Sequence, residues 1–550
     1  MKRYIYIMAL LATTSLQAQI LYVNNNDGTF LPVDTKETKE ITFNQQKKTV
    51  ALSLSNGLQH CFHTSKIESI SPKTNKSEEL IYNLTPTVAF DDNDKKDFNE
   101  IVETIPEVET TDNDYGDFVE KYEKNKLIEI TFHEDDVTVS GDITHTKKGA
   151  HLTINSETGK VRYILKGKSS NGSFKIYSTK KFQLLLSGVE LTNPTGPAIN
   201  IQTGKTVYFT IDDNTTNTLC DGATYNTPDV ADEDQKGTLF SEGQLIFNGS
   251  KDGCGVLNVT SYSGHGICSD DYIRIRSGNI NIIKAAKDGF HTNDKFMIGR
   301  TATASPRITV NATNDGIDCG KGEVIIDAGI IELTTGGEAI KVEYEEEEPN
   351  PAVKPNATIN GGYVKFTTTG DKSSGIKTTG TYKQTGGIVH GTVKGNGSKV
   401  LNCDSNITFT DGKLIGLAKG TVLNDTTSAG GIKSEGNLNI TKGTIAIECT
   451  GKGAKGINSS NVTVKGGDIT ILSTEENYKG ATNTRKSIAV DTSTLTITNG
   501  ELKLKAYDNA ISAEKVALYK GTLHAISNDD IAIDAEITQS AGWIMTKDGK

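Results

Sequence analysis

The sequence predicts an all-β protein, a right-handed parallel β-helix preceded by a small β-rich N-terminal module. Short apolar segments recur about every 22 to 25 residues, and a small residue precedes an apolar one in nearly every repeat. Three short strands and three tight turns need about that many residues, which is one coil of such a solenoid. Proline is scarce, with 11 among 550 residues, as expected where a stacked ladder uses nearly every backbone N–H.

The repeat can be followed from its pairs of a small and an apolar residue. We expect the small residue at a sharp bend, and a further glycine with positive φ after the second strand. The pattern lacks the fixed leucines of leucine-rich repeats and the recurrent aromatic residues of propeller blades. It predicts one β-helix of about fifteen coils over residues 126–550. The pairs begin at Gly266, Gly289, Gly316, Ala339, Gly375, Gly431, Gly456, Ser487 and Ala510, and the further glycines are Gly278, Gly329, Gly387, Gly443, Gly467, Gly500 and Gly521.

The N-terminus has the pattern of a secretory signal peptide over residues 1–18. Lys2 and Arg3 precede an apolar run over residues 4–12, and small or polar residues lead to a cleavage site after Ala18. The first cysteine is Cys61, which excludes a lipoprotein anchor at that site. No later apolar run is long enough for a membrane span, so we expect a secreted or cell-surface protein without membrane insertion.

Two segments separate the leader from the repeats. Residues 20–72 predict a small β module, with an Asp27-Gly28 hairpin between apolar runs. Residues 73–125 are polar and rich in aspartate, which predicts an acidic, solvated linker with a short helix near residues 98–102.

Composition excludes several functions. The net charge of −11 disfavours nucleic acid and anionic membranes as partners, because both require a basic surface. The single Trp, Trp543, provides no platform for crystalline cellulose. Seven scattered cysteines form neither a zinc motif nor a disulfide framework, so we expect free thiols, with Cys254 and Cys268 as the alternative pair.

Alignment by repeat predicts a column of carboxylates. Asp288, Asp315 and Glu338 precede successive small-apolar pairs, and equivalent positions on neighbouring coils lie about 4.8 Å apart. Two carboxylates at that distance repel by roughly 3.5 kcal/mol at an effective dielectric of 20. A calcium ion would turn this repulsion into binding, and the alternative is a solvent-facing acidic edge. A second acidic group contains Asp270, Asp271 and Asp294.

Several blocks resemble a known family. They are residues 171–177 (NGSFKIY), 196–201 (GPAINI), 236–243 (KGTLFSEG) and 267–275 (ICSDDYIRI), followed by 288–290 (DGF) and 315–317 (DGI). They are similar to the bacterial carbohydrate-binding β-helix family typified by a clostridial cell-surface protein that binds cellulose and acidic plant polysaccharides. The resemblance implies bound calcium, affinity for polysaccharides such as polygalacturonate, and no established catalysis. It implies calcium ligands at Asp288 and Asp315, and further ligands at Asp270, Asp271 and Asp294.

Three functions remain open from the sequence. The first is non-catalytic binding of an acidic polysaccharide through calcium on one face of the β-helix, with aromatic contacts from Tyr262, Tyr272, Phe290 or Phe296. The second is a calcium-dependent polysaccharide lyase with a cationic base. The third is a structural or adhesive spacer without a glycan ligand. His265 and His291 are interpreted as structural or solvent-facing residues. The candidate cationic residues are Arg274, Arg276, Lys284 and Lys287, with ordinary solvent-facing charge as the alternative. The candidate glycan contacts are Tyr272, Arg274, Arg276 and Phe290.

Overall fold

The structure, a computed structural model, confirms the all-β parallel β-helix. It describes residues 20–25, 30–34, 38–44, 48–54, 59–65, 67–71, 116–250, 253–299, 306–344 and 355–549. The predicted signal peptide, the short helix near residues 98–102 and most of the acidic linker lie outside the described residues. In the described part of the chain, no helix is long and apolar enough to cross a membrane.

Parallel strands stack into three long sheets, because each coil contributes one strand to each sheet. Among the described residues sheet 1 contains fifteen parallel strands, which agrees with the number of coils expected from the repeat length. Its last five strands are the leading parts of longer strands that bend into sheet 2. The strands of sheet 1 are Ala150–Ser156, Gly172–Ser178, Ile199–Gln202, Gly237–Ser241, His265–Ser269, Phe290–Thr292, Ile317–Cys319, Ile340–Val342, Ile376–Thr378, Lys399–Cys403, Gly430–Ile440, Lys455–Val464, Ile488–Ile497, Ile511–Leu518 and Ile533–Gln539.

Sheet 2 begins one coil earlier and ends with the closing parts of those five longer strands. Its other strands are Lys126–Phe132, Val161–Ser169, Phe182–Asn193, Val207–Ile211, Leu245–Gly249, Ile273–Ile275, Lys295–Ile298, Glu323–Ile326, Ala357–Ile359, Tyr382–Gln384 and Ile407–Phe409. A 3-10 helix, Val119–Lys121, precedes the first of them.

Sheet 3 completes each coil and continues from the closing part of Phe182–Asn193. Its strands are Thr216–Asp221, Val256–Thr260, Asn279–Ala285, Arg307–Ala312, Ile330–Thr335, Tyr363–Thr368, Ile388–Val393, Lys413–Ala418, Thr444–Cys449, Asp468–Ser473, Glu501–Ala506, Thr522–Ser527 and Trp543–Lys547. Short antiparallel strands lie outside the regular coils at Val137–Ser140, His145–Lys148, Tyr478–Lys479 and Thr484–Arg485.

The corners confirm the predicted roles of glycine. All seven predicted corner glycines have positive φ, including Gly467 at +91° and Gly500 at +100°. Gly443, Gly467, Gly500 and Gly521 stack on one another, so a Cβ at Gly467 would lie 2.5 Å from the carbonyl oxygen of Gly443. The small residue of each small-apolar pair is needed for space, since a Cβ at Gly289 would lie 2.3 Å from Val310 Cγ1.

One continuous hydrophobic core fills the solenoid from Ile128 to Ile544. The apolar residues of successive pairs form a column in it, because Ile267, Phe290, Ile317 and Ile340 are direct neighbours in the register of sheet 1. All four are fully buried. The core therefore leaves only alternate positions of sheet 1 facing outward.

The N-terminal strands lie within the predicted β module and close one end of the solenoid. Three of them form a separate sheet, and three more form an antiparallel sheet whose last strand pairs with Trp543–Lys547. The register places Cys61 opposite Ile544 and His60 opposite Met545. The module strands are Ile20–Asn25, Phe30–Asp34, Thr38–Asn44, Thr49–Leu54, Gln59–His63 and Ile67–Ser71.

The end of the predicted linker differs from the expectation. Residues 116–122 do not form a solvated tether but pack across sheet 2, where Tyr208 Oη donates a hydrogen bond to Gly116 O at 2.5 Å. Asp117 is buried there. The six cysteines from Cys220 to Cys449 are free thiols, and Cys254 and Cys268 are not bridged.

Candidate functional site

The outward-facing side of sheet 1 carries a continuous polar column. Strand register places Cys268, His291, Asp318, Lys341 and Lys377 next to one another on five successive coils. These residues come one position after the apolar residue of each pair, so their side chains point away from the core. Among these five residues Asp318 is the acid, and Lys341 and Lys377 follow it on the next two coils.

Three carboxylates meet beside this column. Asp288, Asp315 and Asp318 have ligand oxygens within 4.8 Å of one another, and the residues are only 3%, 2% and 4% exposed. The backbone N–H of Asp315 donates to Asp288 Oδ1 at 2.9 Å, and the N–H of Glu338 donates to Asp315 Oδ1 at 2.7 Å. Asn314 Nδ2 donates to Asp288 Oδ1 at 2.7 Å. The solenoid backbone itself thus orients the acidic cluster.

Two histidines border the acidic cluster. The rings of His265 and His291 stack with centroids 4.6 Å apart. His265 Nδ1 lies 2.9 Å from Asp288 Oδ2, and His291 Nδ1 lies 2.9 Å from Asp318 Oδ2 and 3.7 Å from Asp288 Oδ2. His265, Asp288 and His291 therefore form a second group of converging ligand atoms that shares Asp288 with the first.

Burial and charge shift the acidities of this cluster in different directions. Burial, followed by the negative charges of Asp288, Glu338 and Asp318, raises the pKa of Asp315 to about 8. Burial opposes ionisation of Asp288 as well, but hydrogen bonds from His265 and His291 hold its pKa below the usual range.

The two imidazoles also differ. Burial lowers the pKa of His265 despite the neighbouring Asp288. Burial also lowers the pKa of His291, but its hydrogen bonds to Asp288 and Asp318 outweigh this effect and raise the pKa of His291 to about 9. These shifts favour the protonated forms of Asp315 and His291 at neutral pH.

Lysines continue the charged face beyond the acidic cluster. Lys341 Nζ lies 3.5 Å from Asp318 Oδ1 and 3.9 Å from Glu343 Oε2. Lys377 Nζ donates to the same Glu343 carboxylate at 2.9 Å. Acidic and basic groups therefore alternate along the face of sheet 1.

The structure separates the six predicted metal ligands. Asp288 and Asp315 come together as predicted, but the carboxylate of Glu338 is not part of the converging groups in the described residues. Asp270 forms a different group with Asp234 and Glu242, and Lys236 Nζ donates to both of its oxygens at 2.7 Å.

Asp271 and Asp294 share one corner of the helix, away from Asp288. Asp294 N donates to Asp271 O at 3.0 Å, and the side chain of Gln244 donates to the Asp271 carboxylate. Burial and then the charge of Asp294 raise the pKa of Asp271. The column and the second acidic group therefore lie apart, as the alignment by repeat predicts, but the second group is divided, because Asp270 converges with Asp234 and Glu242 and not with Asp271 and Asp294.

The predicted glycan contacts need correction. Phe290 and Phe296 are fully buried in the core, so neither can stack on a sugar. Arg274 and Arg276 point away from the core but lie beneath residues 116–122, and Tyr262 is half-exposed.

Two ion pairs and a hydrogen bond join Arg274, Arg276 and Tyr272 to the covering residues 116–122. Arg274 Nη1 lies 2.7 Å from Asp117 Oδ2, Tyr272 Oη donates to Asp117 Oδ1 at 2.6 Å, and Arg276 Nη2 lies 2.8 Å from Glu120 Oε1. These three residues therefore anchor residues 116–122, and the prediction that they contact a glycan is wrong.

The sequence interpretation missed several residues of the site. The sequence predicts structural or solvent-facing roles for His265 and His291, and it does not assign Asp318 and Lys341 to the site. Aligning the residue that follows each apolar member of the repeat pairs would have found His291, Asp318 and Lys341 in one column.

The donor set fits a divalent cation. Asp288, Asp315 and Asp318 offer three buried carboxylates, and Asp318 Oδ1 accepts no hydrogen bond from the described residues, although Lys341 Nζ lies 3.5 Å from it. Hard oxygen ligands of this type are those that calcium prefers. The residues that would hold such an ion are therefore these three aspartates, and the two imidazoles lie at their border.

Comparisons with known proteins agree with a glycan-binding role. A family model described as carbohydrate-binding domain-containing protein matches residues 148–480, which is more than half of the chain. A curated protein with the same description from Acetivibrio thermocellus is 26% identical over 122 residues, which cover 22% of this chain and 41% of that protein. The chain thus matches about two fifths of the relative's length.

A solved structure is also similar. The polysaccharide lyase-like protein from C. thermocellum, determined as a gadolinium derivative, aligns with a TM-score of 0.38 and 22% identity, over 51% of this chain and 96% of that one. With the family model covering residues 148–480, the chain belongs to the family of carbohydrate-binding domain-containing proteins.

Proposed function

We propose that this protein binds an acidic polysaccharide, such as polygalacturonate, along the outward-facing side of sheet 1, without catalysis. The observation that carries the proposal is the cluster of buried carboxylates, Asp288, Asp315 and Asp318, on the polar face of a carbohydrate-binding β-helix. Calcium held there would bridge these aspartates to the carboxylate of a uronate.

The shape of the face suits an extended polymer. Register neighbours from His291 to Lys433 span six coils, or roughly 24 Å at about 4.8 Å per coil. Inserted segments at the preceding corner flank this stretch at residues 222–236, 419–429 and 474–487. A linear glycan lying along the column would contact one residue of each coil.

The electrostatics favour a cation. The three aspartates place carboxylates together, and burial with the neighbouring negative charges raises the pKa of Asp315 to about 8, which favours its protonated form when no ion is bound. A divalent ion would replace that proton and neutralise the repulsion. Lys341 and Lys377 would then lie beside the ion as further contacts for an anionic polymer.

The net charge makes the role of the cation testable. At −11 the chain repels a polyanion, so binding without calcium should be weak. We expect polygalacturonate to bind in calcium and to dissociate when a chelator is added. Affinity electrophoresis and calorimetry measure both states.

A variant and a matched control test the assigned cluster. Asp315→Asn keeps the shape of the side chain but removes a ligand charge, and it should lower both calcium content and calcium-dependent glycan affinity at least tenfold. Asp411→Asn removes a charge that lies on another corner beside Lys442 and should change neither quantity. Wild-type calcium content in Asp315→Asn would contradict the metal assignment.

We also propose that the protein is exported and acts outside the cell. The support is the signal-peptide pattern of residues 1–18. The mature protein isolated from its host should begin at Gln19, which N-terminal peptide mass spectrometry determines. A mature protein that keeps Met1 would contradict this proposal.

The two other functions predict different results in the same assays. A lyase would raise the ultraviolet absorbance when polygalacturonate is incubated with the protein and calcium. The predicted bases Arg274 and Arg276 are engaged by Asp117 and Glu120, which argues against them in that role. A spacer would give no glycan signal on an array in calcium.

A further inference from the structure

A long inserted loop covers part of the outward-facing side of sheet 1 near its first coils. The corner between sheets 3 and 1 takes four residues in several coils, as at residues 261–264 and 286–289, but it extends over residues 222–236 before Gly237–Ser241. This insertion does not continue the coil. It reaches back over the strands Gly172–Ser178 and Ile199–Gln202.

The loop is fixed there by the buried carboxylate of Glu233 and by the neighbouring carbonyl of Asp234, which accepts from Gln202 Nε2 at 3.1 Å. Glu233 Oε1 lies 2.5 Å from Lys175 Nζ and accepts from Asn200 Nδ2 at 3.0 Å. Glu233 Oε2 accepts from Tyr177 Oη at 2.5 Å. The Glu233 side chain is only 2% exposed. Both of its oxygens are therefore bound by donors from the sheet.

The sheet, rather than the loop, builds this arrangement of donors. Lys175 and Tyr177 are alternate residues of one strand and both point outward, and Asn200 is the register partner of Lys175. Gln202, opposite Tyr177, donates to Asn200 Oδ1 at 2.6 Å and so directs the Asn200 amide nitrogen toward the carboxylate. Ammonium, phenol and amide donors around one carboxylate form a carboxylate cradle.

Open space borders the cradle on both sides. A groove of about 770 Å³ is lined in part by Lys175, Asn200 and His151. A second groove of about 680 Å³ is lined in part by Tyr177, Gln202 and Asn155. A ligand lying in either groove would reach the cradle if Glu233 moved away.

We propose that Lys175, Tyr177 and Asn200 form a subsite for the carboxylate of an acidic sugar, and that Glu233 is a built-in competitor that occupies it in the absence of ligand. The chemical class follows from two facts: the cradle holds a carboxylate in this structure, and the chain belongs to a carbohydrate-binding family. The inference rests on the proposed function only for the acidic nature of the glycan.

Glu233 sets the apparent affinity of the subsite for a sugar carboxylate. A sugar carboxylate binds only the fraction of molecules in which Glu233 has left the cradle, so the measured affinity is reduced by that fraction. Hydrogen bonds to an ionised group are about twice as strong as neutral ones. Replacing the carboxylate by an amide therefore favours the open state and strengthens sugar binding.

The test uses free D-galacturonate without calcium, measured by calorimetry or ligand-observed NMR. Glu233→Gln should bind it about tenfold more tightly than the wild type does. Asp232→Asn, which removes a neighbouring exposed charge from the same loop, should leave the affinity unchanged. Adding Lys175→Met to Glu233→Gln should abolish the gain. D-galactose, which lacks the carboxylate, should show no gain with any variant.

Three results would overturn the proposal: equal affinities for Glu233→Gln and Asp232→Asn, a gain that survives Lys175→Met, or an equal gain for D-galactose. If Glu233→Gln lowers the melting temperature, Glu233→Ala repeats the comparison without a new amide donor. The assay needs neither calcium nor polymer, so it remains decisive even if the wild type fails to bind polygalacturonate in calcium.

Discussion

Lys399 allows a quantitative test of the electrostatics on the face of sheet 1. Burial, and then the positive charge of Lys433, lower the pKa of Lys399 to about 8. Its ammonium group donates to Gly397 O at 3.0 Å. The folded protein therefore carries a cation in an environment that disfavours it. We expect Lys399→Met to stabilise the protein at neutral pH.

The magnitude follows from the shift. A lysine pKa lowered from about 10.4 to about 8 corresponds to roughly 3 kcal/mol of penalty below pH 8. Lys399→Met also loses the hydrogen bond to Gly397, which lowers its gain in stability by about 1 kcal/mol. Residual solvent contact of the Lys399 side chain reduces the penalty in the wild type further. The net gain for Lys399→Met should be about 1 to 2 kcal/mol.

The sign of the pH dependence is fixed by the same shift. Between about pH 8 and 10.4 the unfolded chain binds more protons at Lys399 than the folded chain, so wild-type stability gains a contribution as pH rises. The advantage of Lys399→Met should therefore be full at pH 7 and smaller at pH 9.5. Denaturant unfolding at both values measures it.

A matched control separates this effect from the loss of a surface charge. Lys383→Met removes an exposed lysine from sheet 2 and should change stability by less than about 0.5 kcal/mol. The reasoning fails if Lys399→Met is no more stabilising than Lys383→Met at pH 7, or if its advantage does not shrink by pH 9.5.

Two further substitutions, each with a control, test the corner glycines and the packing of residues 116–122. Gly467→Ala should cost about 2 to 4 kcal/mol in unfolding experiments, because its φ is +91° and its Cβ would lie 2.5 Å from Gly443 O. Gly159→Ala, whose nearest contact would be 3.7 Å, should be tolerated. Asp117→Asn leaves Arg274 buried without its counter-charge and should cost about 3 kcal/mol. Glu123→Gln, in an exposed pair with Lys160, should be nearly neutral in the same experiment.

The repeat made much of the fold predictable from the sequence. Glycines such as Gly467 and Gly500 were assigned to corners because only positive φ explains their recurrence after a strand. The same alignment brought Asp288 and Asp315 together, since equivalent positions of a solenoid are spatial neighbours. Phe290 follows from the same rule: as the apolar member of a pair it belongs to the core.

Contacts from outside the period could not be predicted in this way. Arg274 and Arg276 alternate with core residues and were expected to face solvent, but Asp117 and Glu120 lie more than 150 residues away in sequence and cover them. Glu233 reaches Lys175 from an insertion whose path no repeat describes. In both cases a non-repetitive segment returns to the solenoid, and hydrophobic periodicity contains no information about its path.

The pairing of Gln59–His63 with Trp543–Lys547 has a consequence for synthesis. The N-terminal strand leaves the ribosome early, whereas its partner is made only after nearly every coil has been translated. Until then Gln59–His63 and the last completed strand of sheet 3 each keep an unsatisfied row of backbone donors and acceptors, which is a template for pairing with another chain. Chains that stop before Trp543 should therefore associate through these edges, and chains that reach Lys547 close them within one molecule.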